Sequence, residues 1–391
     1  MNVVLLSVDS LRADHVGFLG GDEAPATPAI DSIADDGLVF ENAFANAPYT
    51  RASFPAILTG TYPEMYGGYR QLSDARPYLP EQFDDAGYAT GGFHSNPHLS
   101  ERTNYDRGFD RLYSGEAGTS TVAKLRQFLA RNVPRETVAF SLLQALRTQA
   151  ERFVGSEIGT PYVPGDELNE YALDWLETAD EPTFLWLHYM DVHHPYVPHD
   201  GTPSADIDRS RAVELRDRIV NDDGPVTESE AAELKRLYRG EVEFVDRRIE
   251  EVLDTVDREL DRSETAVIFL ADHGEAFGEH GYWGHPDELH DEVLHIPLVV
   301  DAPGRDGQRV SVPVSTVDLF PTVAELLDWT PPERCVGDSL FGVAADDADD
   351  RTVFAQASGT KATVRDRTHR LLRYLDTDAD ERLDAAGEPV S

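Results

Sequence analysis

The N-terminal segment that decides the fold is Asn2-Val3-Val4-Leu5-Leu6-Ser7-Val8-Asp9. Its apolar residues are continuous rather than alternating, which is typical of a strand buried on both faces. Similar runs occur at 89–93, 183–188, 266–270 and 296–300. Helical patterns separate them, at 28–36, 53–58, 81–86, 228–257 and 316–327. This alternation predicts an α/β protein with a doubly wound, mostly parallel sheet and helices on both of its faces.

Composition predicts two parts of unequal size. Residues 1–335 form a large α/β domain, with a helical excursion from the sheet at about 115–165. The charged stretch 200–226, interrupted by proline and glycine, is interpreted as a surface loop. Short strand patterns at 352–356 and 370–375 then predict a small antiparallel C-terminal subdomain, residues 336–391.

The charge of the chain is extreme. Its 391 residues include 73 acids and 34 bases, for a net charge of −39, and Lys124, Lys235 and Lys361 are the only lysines. Such a field repels nucleic acid and anionic membranes, so neither is expected as a partner. The acids are spread along the whole chain, which favours a folded protein in a salt-rich, halophilic cytoplasm. An ordinary acidic enzyme is the alternative.

Other sequence features restrict the class further. No apolar run reaches the roughly 18 residues of a spanning helix, and the N-terminus is interpreted as a strand rather than a signal peptide. We therefore expect a cytoplasmic protein without a membrane partner. The single cysteine, Cys335, excludes an internal disulfide framework. The oligomeric state is left open.

Two predicted strands end in residues that can hold a metal ion. Asp9 follows the first strand, and Asp272-His273-Gly274 follows the strand at 266–270. Ligands of open α/β sheets bind at the carboxyl ends of the strands, so these side chains are expected to meet. Two carboxylates and an imidazole leave an open position, as catalytic metal sites do. The imidazole favours zinc or manganese, with calcium as the alternative. A helix-capping role for Asp9 is the structural alternative.

Hydroxyl and imidazole groups supply further candidates. Thr50 precedes a short helical segment, where a bound metal could activate its hydroxyl as a nucleophile. Simple helix capping by Thr50 or Ser53 is the alternative. Three histidines and one aspartate crowd residues 188–194, and further histidines occur at 280–295.

Read in order, these segments resemble the sulfatase family of the alkaline phosphatase superfamily. The resemblance runs from residue 2 to about 340, and its parts are residues 2–15, 27–34, 40–44, 58–63, 86–90, 188–196, 240–246, 272–278 and 314–326. It implies a metal-dependent hydrolase of sulfate, phosphate or phosphonate esters. The implied substrate is a small-molecule or glycan ester.

The resemblance also implies roles for individual residues. One divalent metal would be held by Asp9, Thr50, Asp272 and His273, with Thr50 also acting as the nucleophile. His193 and His285 would act on the transferred group from opposite sides. Weaker candidates for contacts with the anion are Arg12, Arg51 and Asn96. The reaction would be in-line displacement through a covalent Thr50 ester, followed by attack of water. A second metal, through His188, Asp191 or His193, is left open.

Departures from the family pattern restrict the reaction mechanisms expected for this chain. Sulfatases carry Cys or Ser in a Cys-x-Pro-x-Arg motif, and that residue is oxidised to formylglycine. Here Thr50 holds that position and Phe54 replaces the arginine, so no formylglycine is expected. Ser10 stands where a second acid is usual, and His273 where calcium-binding members often have Asn. The pattern is more similar to members with a Thr or Ser nucleophile. The alternatives are a phospho-group transferase that uses the same threonine and a catalytically degenerate protein that binds sulfated or phosphorylated glycans.

Overall fold

The computed structural model describes residues 1–21, 24–115, 162–220, 225–346, 351–374 and 380–384, so nearly all of the helical excursion predicted at 115–165 lies outside the described residues. The strands are β1 Asn2–Val8, β2 Leu38–Phe40, β3 Ala43–Phe44, β4 Ala89–His94, β5 Arg111–Ser114, β6 Thr183–Tyr189, β7 Thr265–Ala271, β8 Ala276–Phe277, β9 Trp283–Gly284, β10 His295–Ile296, β11 Leu298–Asp301, β12 Gln308–Val310, β13 Val314–Ser315, β14 Val353–Ala357, β15 Lys361–Arg365, β16 His369–Tyr374 and β17 Asp380–Asp384. The helices are α1 Pro28–Asp36, α2 Thr50–Thr59, α3 Leu79–Asp85, α4 Gly165–Leu176, α5 Arg209–Val220, α6 Glu228–Glu259, α7 Asp291–Leu294, α8 Leu319–Leu326 and α9 Leu340–Asp346.

The main sheet has eight strands in the order β12-β2-β11-β7-β1-β6-β4-β5. Strand β1 lies near its middle and pairs in parallel with both β6 and β7. Strand β11 is antiparallel to β7 and to β2, whereas β4 is parallel to its neighbours β5 and β6. The predicted α/β class with a mostly parallel sheet is therefore confirmed.

Helices cover the sheet in two packed groups. Helices α1 and α4 both contact the long helix α6, and α2 contacts α3 and α8. Every residue of β1, β6 and β7 is buried, as continuous apolar strands between two helical layers require. Helix α6 begins with a capping box in which Thr227 and Glu230 satisfy each other's backbone N–H groups.

Two details of the predicted organisation are wrong. The expected loop at 200–226 contains helix α5. Ala212 and Leu215 are buried and Ile219 packs on the core, a spacing that the many charged residues between them concealed. The strand expected at 296–300 is broken at Pro297, which has no N–H to donate, so β10 joins β3 and β13 in a separate sheet.

The C-terminal part forms a four-stranded antiparallel sheet, β14-β15-β16-β17, which confirms the predicted antiparallel unit. It is tied to the main domain, because Gln356 N–H donates to the Asn46 carbonyl and Lys361 pairs with Glu288. The boundary at residue 335 stays a prediction. Among the described residues, no helix is both long and apolar enough to cross a bilayer.

Candidate active site

The parallel pairing of β1 and β7 places two acids side by side. Val8 lies opposite Ala271, so Asp9 and Asp272 are the next residues of adjacent strands. The backbone ladder continues past both strand ends, since Asp9 N–H donates to the Tyr189 carbonyl (2.9 Å) and Asp272 N–H to the Val8 carbonyl (3.4 Å). The backbone of both acids is thereby fixed at the carboxyl edge of the sheet.

The four residues that the sequence predicts as metal ligands converge at this edge. Thr50 is the first residue of α2, and its Oγ1 donates to Asp9 Oδ2 (2.9 Å) and lies 3.2 Å from His273 Nε2. The same His273 nitrogen lies 3.6 Å from Asp9 Oδ1 and 3.6 Å from Asp272 Oδ2. All four side chains are buried. Their role as ligands stays a prediction.

A fifth group, which the sequence analysis considered only for a second ion, lies in the same cluster. His188 is in β6, and its Nε2 lies 3.5 Å from Asp9 Oδ2. One ligand atom each from Asp9, His188 and Asp272 lie within 4.8 Å of one another. The His188 ring packs edge-on against Phe54, with ring centroids 4.8 Å apart. The available signal in the sequence was the position of His188 at the end of the strand predicted at 183–188.

This donor set fits a divalent transition metal. His188 Nε2 and Asp272 Oδ2 are both buried and have no hydrogen-bond partner among the described residues. A buried polar atom without a partner costs about 1–3 kcal/mol, and a cation between the two would remove that cost. Two carboxylates, two imidazoles and one hydroxyl suit zinc or manganese better than calcium, which prefers oxygen ligands alone.

The electrostatics of the two acids differ. Burial and the negative charge of Asp9 raise the pKa of Asp272 to about 8. Burial would also raise the pKa of Asp9, but His193, His188 and His273 hold it well below its usual value. A cation would favour the ionised form of both acids.

A second group of histidines adjoins the first. His193, His194 and His285 each offer a ligand atom within 4.8 Å of the others. Buried Glu275 orients two of these rings, because its Oε2 lies 2.9 Å from His285 Nδ1 and its Oε1 lies 3.4 Å from His194 Nδ1. Glu275 was missed by the sequence analysis, although it directly follows Asp272-His273-Gly274. The ring centroids of His285 and His273 are 4.9 Å apart.

The protonation of this second group is set by burial. Burial lowers the pKa of His193 to about 3, and the nearby His285 and His194 oppose a positive charge there as well. Burial would raise the pKa of Glu275, but His285 and His194 hold it well below its usual value. His193 Nδ1 also lies 2.9 Å from the Tyr162 hydroxyl. The group therefore offers a neutral His193 imidazole as a hydrogen-bond partner for a bound oxygen.

Both groups border one cleft with a volume of about 400 Å³. Its lining includes the predicted residues Thr50, Arg51, Asn96, His193 and His285. The lining residues that the sequence analysis did not single out are Tyr49, Tyr69, Arg70, Pro97, His98, Tyr162 and Met190.

The three predicted anion contacts are placed differently. Asn96 Nδ2 donates to Asp9 Oδ2 (3.3 Å), and Arg51 Nη2 lies 2.8 Å from His98 Nδ1 at the cleft wall. Arg12 instead directs its guanidinium to Asp14 (2.7 Å) and Glu279 (2.9 Å) and is not part of the cleft lining. The geometry thus favours Arg51 and Asn96 over Arg12.

Comparison with known proteins identifies the family. The family described as Sulfatase matches residues 1–329 of this chain. The chain belongs to the sulfatase family. As a member of this family, the protein is a hydrolase of sulfuric or phosphoric esters.

Curated relatives are distant. An uncharacterised sulfatase of Escherichia coli K12 is 25% identical over 372 residues, covering 88% of this chain and 71% of the relative. The human iduronate 2-sulfatase is 25% identical over 400 residues, covering 86% of this chain and 70% of its own length.

Solved structures with the same fold include two phosphonate monoester hydrolases. The enzyme of Agrobacterium radiobacter has a TM-score of 0.71 at 20% identity, covering 98% of this chain and 89% of that chain. The enzyme of Silicibacter pomeroyi has a TM-score of 0.72 at 19% identity, covering 99% of this chain and 90% of that chain. At such identities the likeness establishes the fold alone.

Proposed function

We propose that this sulfatase-family protein is a metal-dependent hydrolase of small sulfate, phosphate or phosphonate esters, with Thr50 as the nucleophile. The observation that carries the proposal is the position of the Thr50 hydroxyl. It lies at the N-terminus of α2, borders the cleft, donates to Asp9 and lies 3.2 Å from His273. A threonine that merely capped its helix would instead accept a backbone N–H of the first turn.

The metal would be held by Asp9, Thr50, His188, Asp272 and His273. When bound, it would stabilise negative charge on the Thr50 oxygen and on the transferred group. The free N–H groups at the start of α2 favour the same charge. Because Thr50 donates its hydrogen bond to Asp9, that carboxylate is positioned to take the hydroxyl proton.

The chemical step follows from these positions. Thr50 Oγ1 attacks the sulfur or phosphorus atom, and the bond from that atom to the alcohol oxygen breaks. His193 and His285, which line the same cleft, donate hydrogen bonds to the group, and His285 gives a proton to the departing alkoxide. Water then attacks the covalent Thr50 ester, which releases sulfate, phosphate or the free phosphonate and restores the hydroxyl. No formylglycine enters this scheme.

Anion binding in a protein of net charge −39 requires local cations. Arg51 and Arg70 line the cleft, and Asn96 adds an amide donor. These groups are proposed to hold the non-reacting oxygens of the ester. The acidic composition supports a further proposal, that the protein works in the cytoplasm of a halophilic cell.

A hydrolysis screen tests the function. The metal-free protein is assayed in molar KCl with zinc, manganese or calcium against an aryl sulfate, a phosphate monoester, a phosphodiester and a phosphonate monoester. We expect turnover of at least one class with zinc or manganese and none for Asp272→Asn. Product appearing only on an added acceptor alcohol would identify a transferase. Binding of sulfated or phosphorylated glycans without turnover of any ester would identify a degenerate binding protein.

A further inference from the structure

Outside the cleft, a third group of metal-ligating side chains brackets the loop that carries His285. His280 follows β8, His290 directly precedes α7, and Glu292 lies in its first turn. One ligand atom from each lies within 4.8 Å of the others. The two rings are stacked, with centroids 4.0 Å apart and planes 11° apart, and His280 Nε2 lies 3.8 Å from Glu292 Oε1.

The carboxylate of this group has an unsatisfied oxygen. Glu292 is only 9% exposed, and its Oε1 is buried with no hydrogen-bond partner among the described residues. His290 occupies the N-cap of α7, yet its side chain makes no capping hydrogen bond. The neighbouring charges are already paired, since Glu279 binds Arg12 and Asp291 binds Arg365 and Arg370. A buried carboxylate oxygen facing two imidazoles leaves a place for a cation.

The backbone of His280 supports the same conclusion. Its φ of 52° lies in the left-handed region, which is unfavourable for a non-glycine residue. Strain of this kind persists where the surrounding structure imposes it, often at ligand sites. The His280 side chain is 48% exposed, and its Nε2 lies on the side that faces Glu292.

We propose that His280, His290 and Glu292 form a second, structural metal site that binds zinc. Two imidazoles and one carboxylate are a ligand set that zinc accepts, with water completing the tetrahedron. The site would join the two ends of the loop 280–292, and His285 lies between them. Glu292 also packs on the active-site turn, because a Cβ at Gly274 would lie 2.2 Å from the Glu292 carbonyl oxygen. Zinc at this position would therefore fix the loop that brings His285 to the cleft.

Two asparagine substitutions test the site with little disturbance of the backbone. Asparagine tolerates the left-handed conformation at 280 and is a favoured N-cap at 290. The wild type, the double variant His280→Asn/His290→Asn and Glu292→Gln are loaded with zinc in molar KCl and freed of excess by gel filtration. Zinc per chain is then measured by mass spectrometry, and folding by circular dichroism. We expect each variant to lose one zinc ion per chain and to show a smaller rise in melting temperature with zinc than the wild type.

Asp272→Asn serves as the matched control, because it alters the other centre. Asp272→Asn should lose the active-site metal. Co²⁺ added to this variant should still give the visible absorption of an imidazole-bound ion. The absorption should vanish when Asp272→Asn is combined with His280→Asn/His290→Asn. A folded double variant that holds as much zinc as the wild type would overturn the proposal. Unchanged zinc in Asp272→Asn alone would contradict only the proposed active-site metal.

Discussion

The chemistry of the site depends on how one hydroxyl is surrounded. Thr50 Oγ1 contacts an acid on one side and an imidazole on the other, and both partners are fully buried. In water a threonine hydroxyl is a weak nucleophile, because it loses its proton only at very high pH. Beside a cation and a helix N-terminus, the alkoxide is stabilised and becomes reactive.

Thr50→Val removes this oxygen and keeps the β-branched shape. Turnover of the best ester should fall by orders of magnitude, whereas the free energy of unfolding should fall by only about 1–3 kcal/mol, because buried Asp9 loses one hydrogen bond. Thr50→Ser is the matched control, and it should retain part of the activity because the hydroxyl remains. Steady-state kinetics and urea unfolding measure the two effects. A folded Thr50→Val protein with wild-type turnover would remove Thr50 from the mechanism.

The pKa of Asp272 predicts how metal binding depends on pH. Burial and the charge of Asp9 raise it to about 8 in the metal-free protein, so below that pH the cation must displace a proton. The apparent zinc affinity of the active site should therefore rise about tenfold per pH unit from pH 6 toward pH 8 and then level off. Chelator competition in the His280→Asn/His290→Asn background measures it. An affinity that does not change between pH 6 and pH 8 would contradict the assignment.

At this scale the sequence could predict the residues that follow strands. Apolar runs mark the ends of strands, so the sequence could predict Asp9, Asp272 and His273 as site residues. It could predict Thr50 because a helical pattern follows that residue. His188 was harder to assign, since its role depends on the register that sets β6 beside β1. The assistance that Glu275 gives to His194 and His285 depends on a loop conformation that no local pattern encodes.

At the scale of secondary structure, prediction succeeded where periodicity was strong. Helix α1 has the predicted bounds 28–36, because Pro28 starts it and Gly37 follows its last residue. Helix α5 was missed, because its buried residues are few and lie between charged ones. At Pro297 the apolar pattern is strong but misleading. One apolar run there supplies strands to two different sheets.

Leu215 provides a test of α5. Its side chain is fully buried, so Leu215→Ala should lower the free energy of unfolding by about 2–5 kcal/mol. The neighbouring Glu214 is exposed and, within the described residues, pairs only with Arg211 (3.4 Å), so Glu214→Ala should cost no more than about 1 kcal/mol. Urea unfolding in molar KCl compares the two variants. Equal losses for both would mean that α5 does not pack on the core as described.

The charge of the whole molecule is the property that no local element explains. Seventy-three acids against 34 bases leave a net charge of −39, and self-repulsion on that scale opposes the compact state. Surface ion pairs such as Arg258–Glu177 and Arg305–Glu325 offset little of it, because exposed pairs contribute about 0–1 kcal/mol each. Added salt weakens both the repulsion among the acids and the surface ion pairs. Whichever of these two contributions is larger determines whether salt stabilises or destabilises the folded protein.

Melting experiments determine that sign. Raising KCl from about 0.1 M to about 1 M shortens the screening length from about 10 Å to about 3 Å. Repulsion among dispersed acids is then largely removed, whereas the buried contacts of the active site are screened much less. The melting temperature should therefore rise steadily with KCl. Sucrose at equal osmolality does not screen charge, so its effect on the melting temperature is the control to subtract. If the temperature stays flat or falls once sucrose is accounted for, then ion pairs outweigh repulsion, and the acidic surface would not be an adaptation to salt.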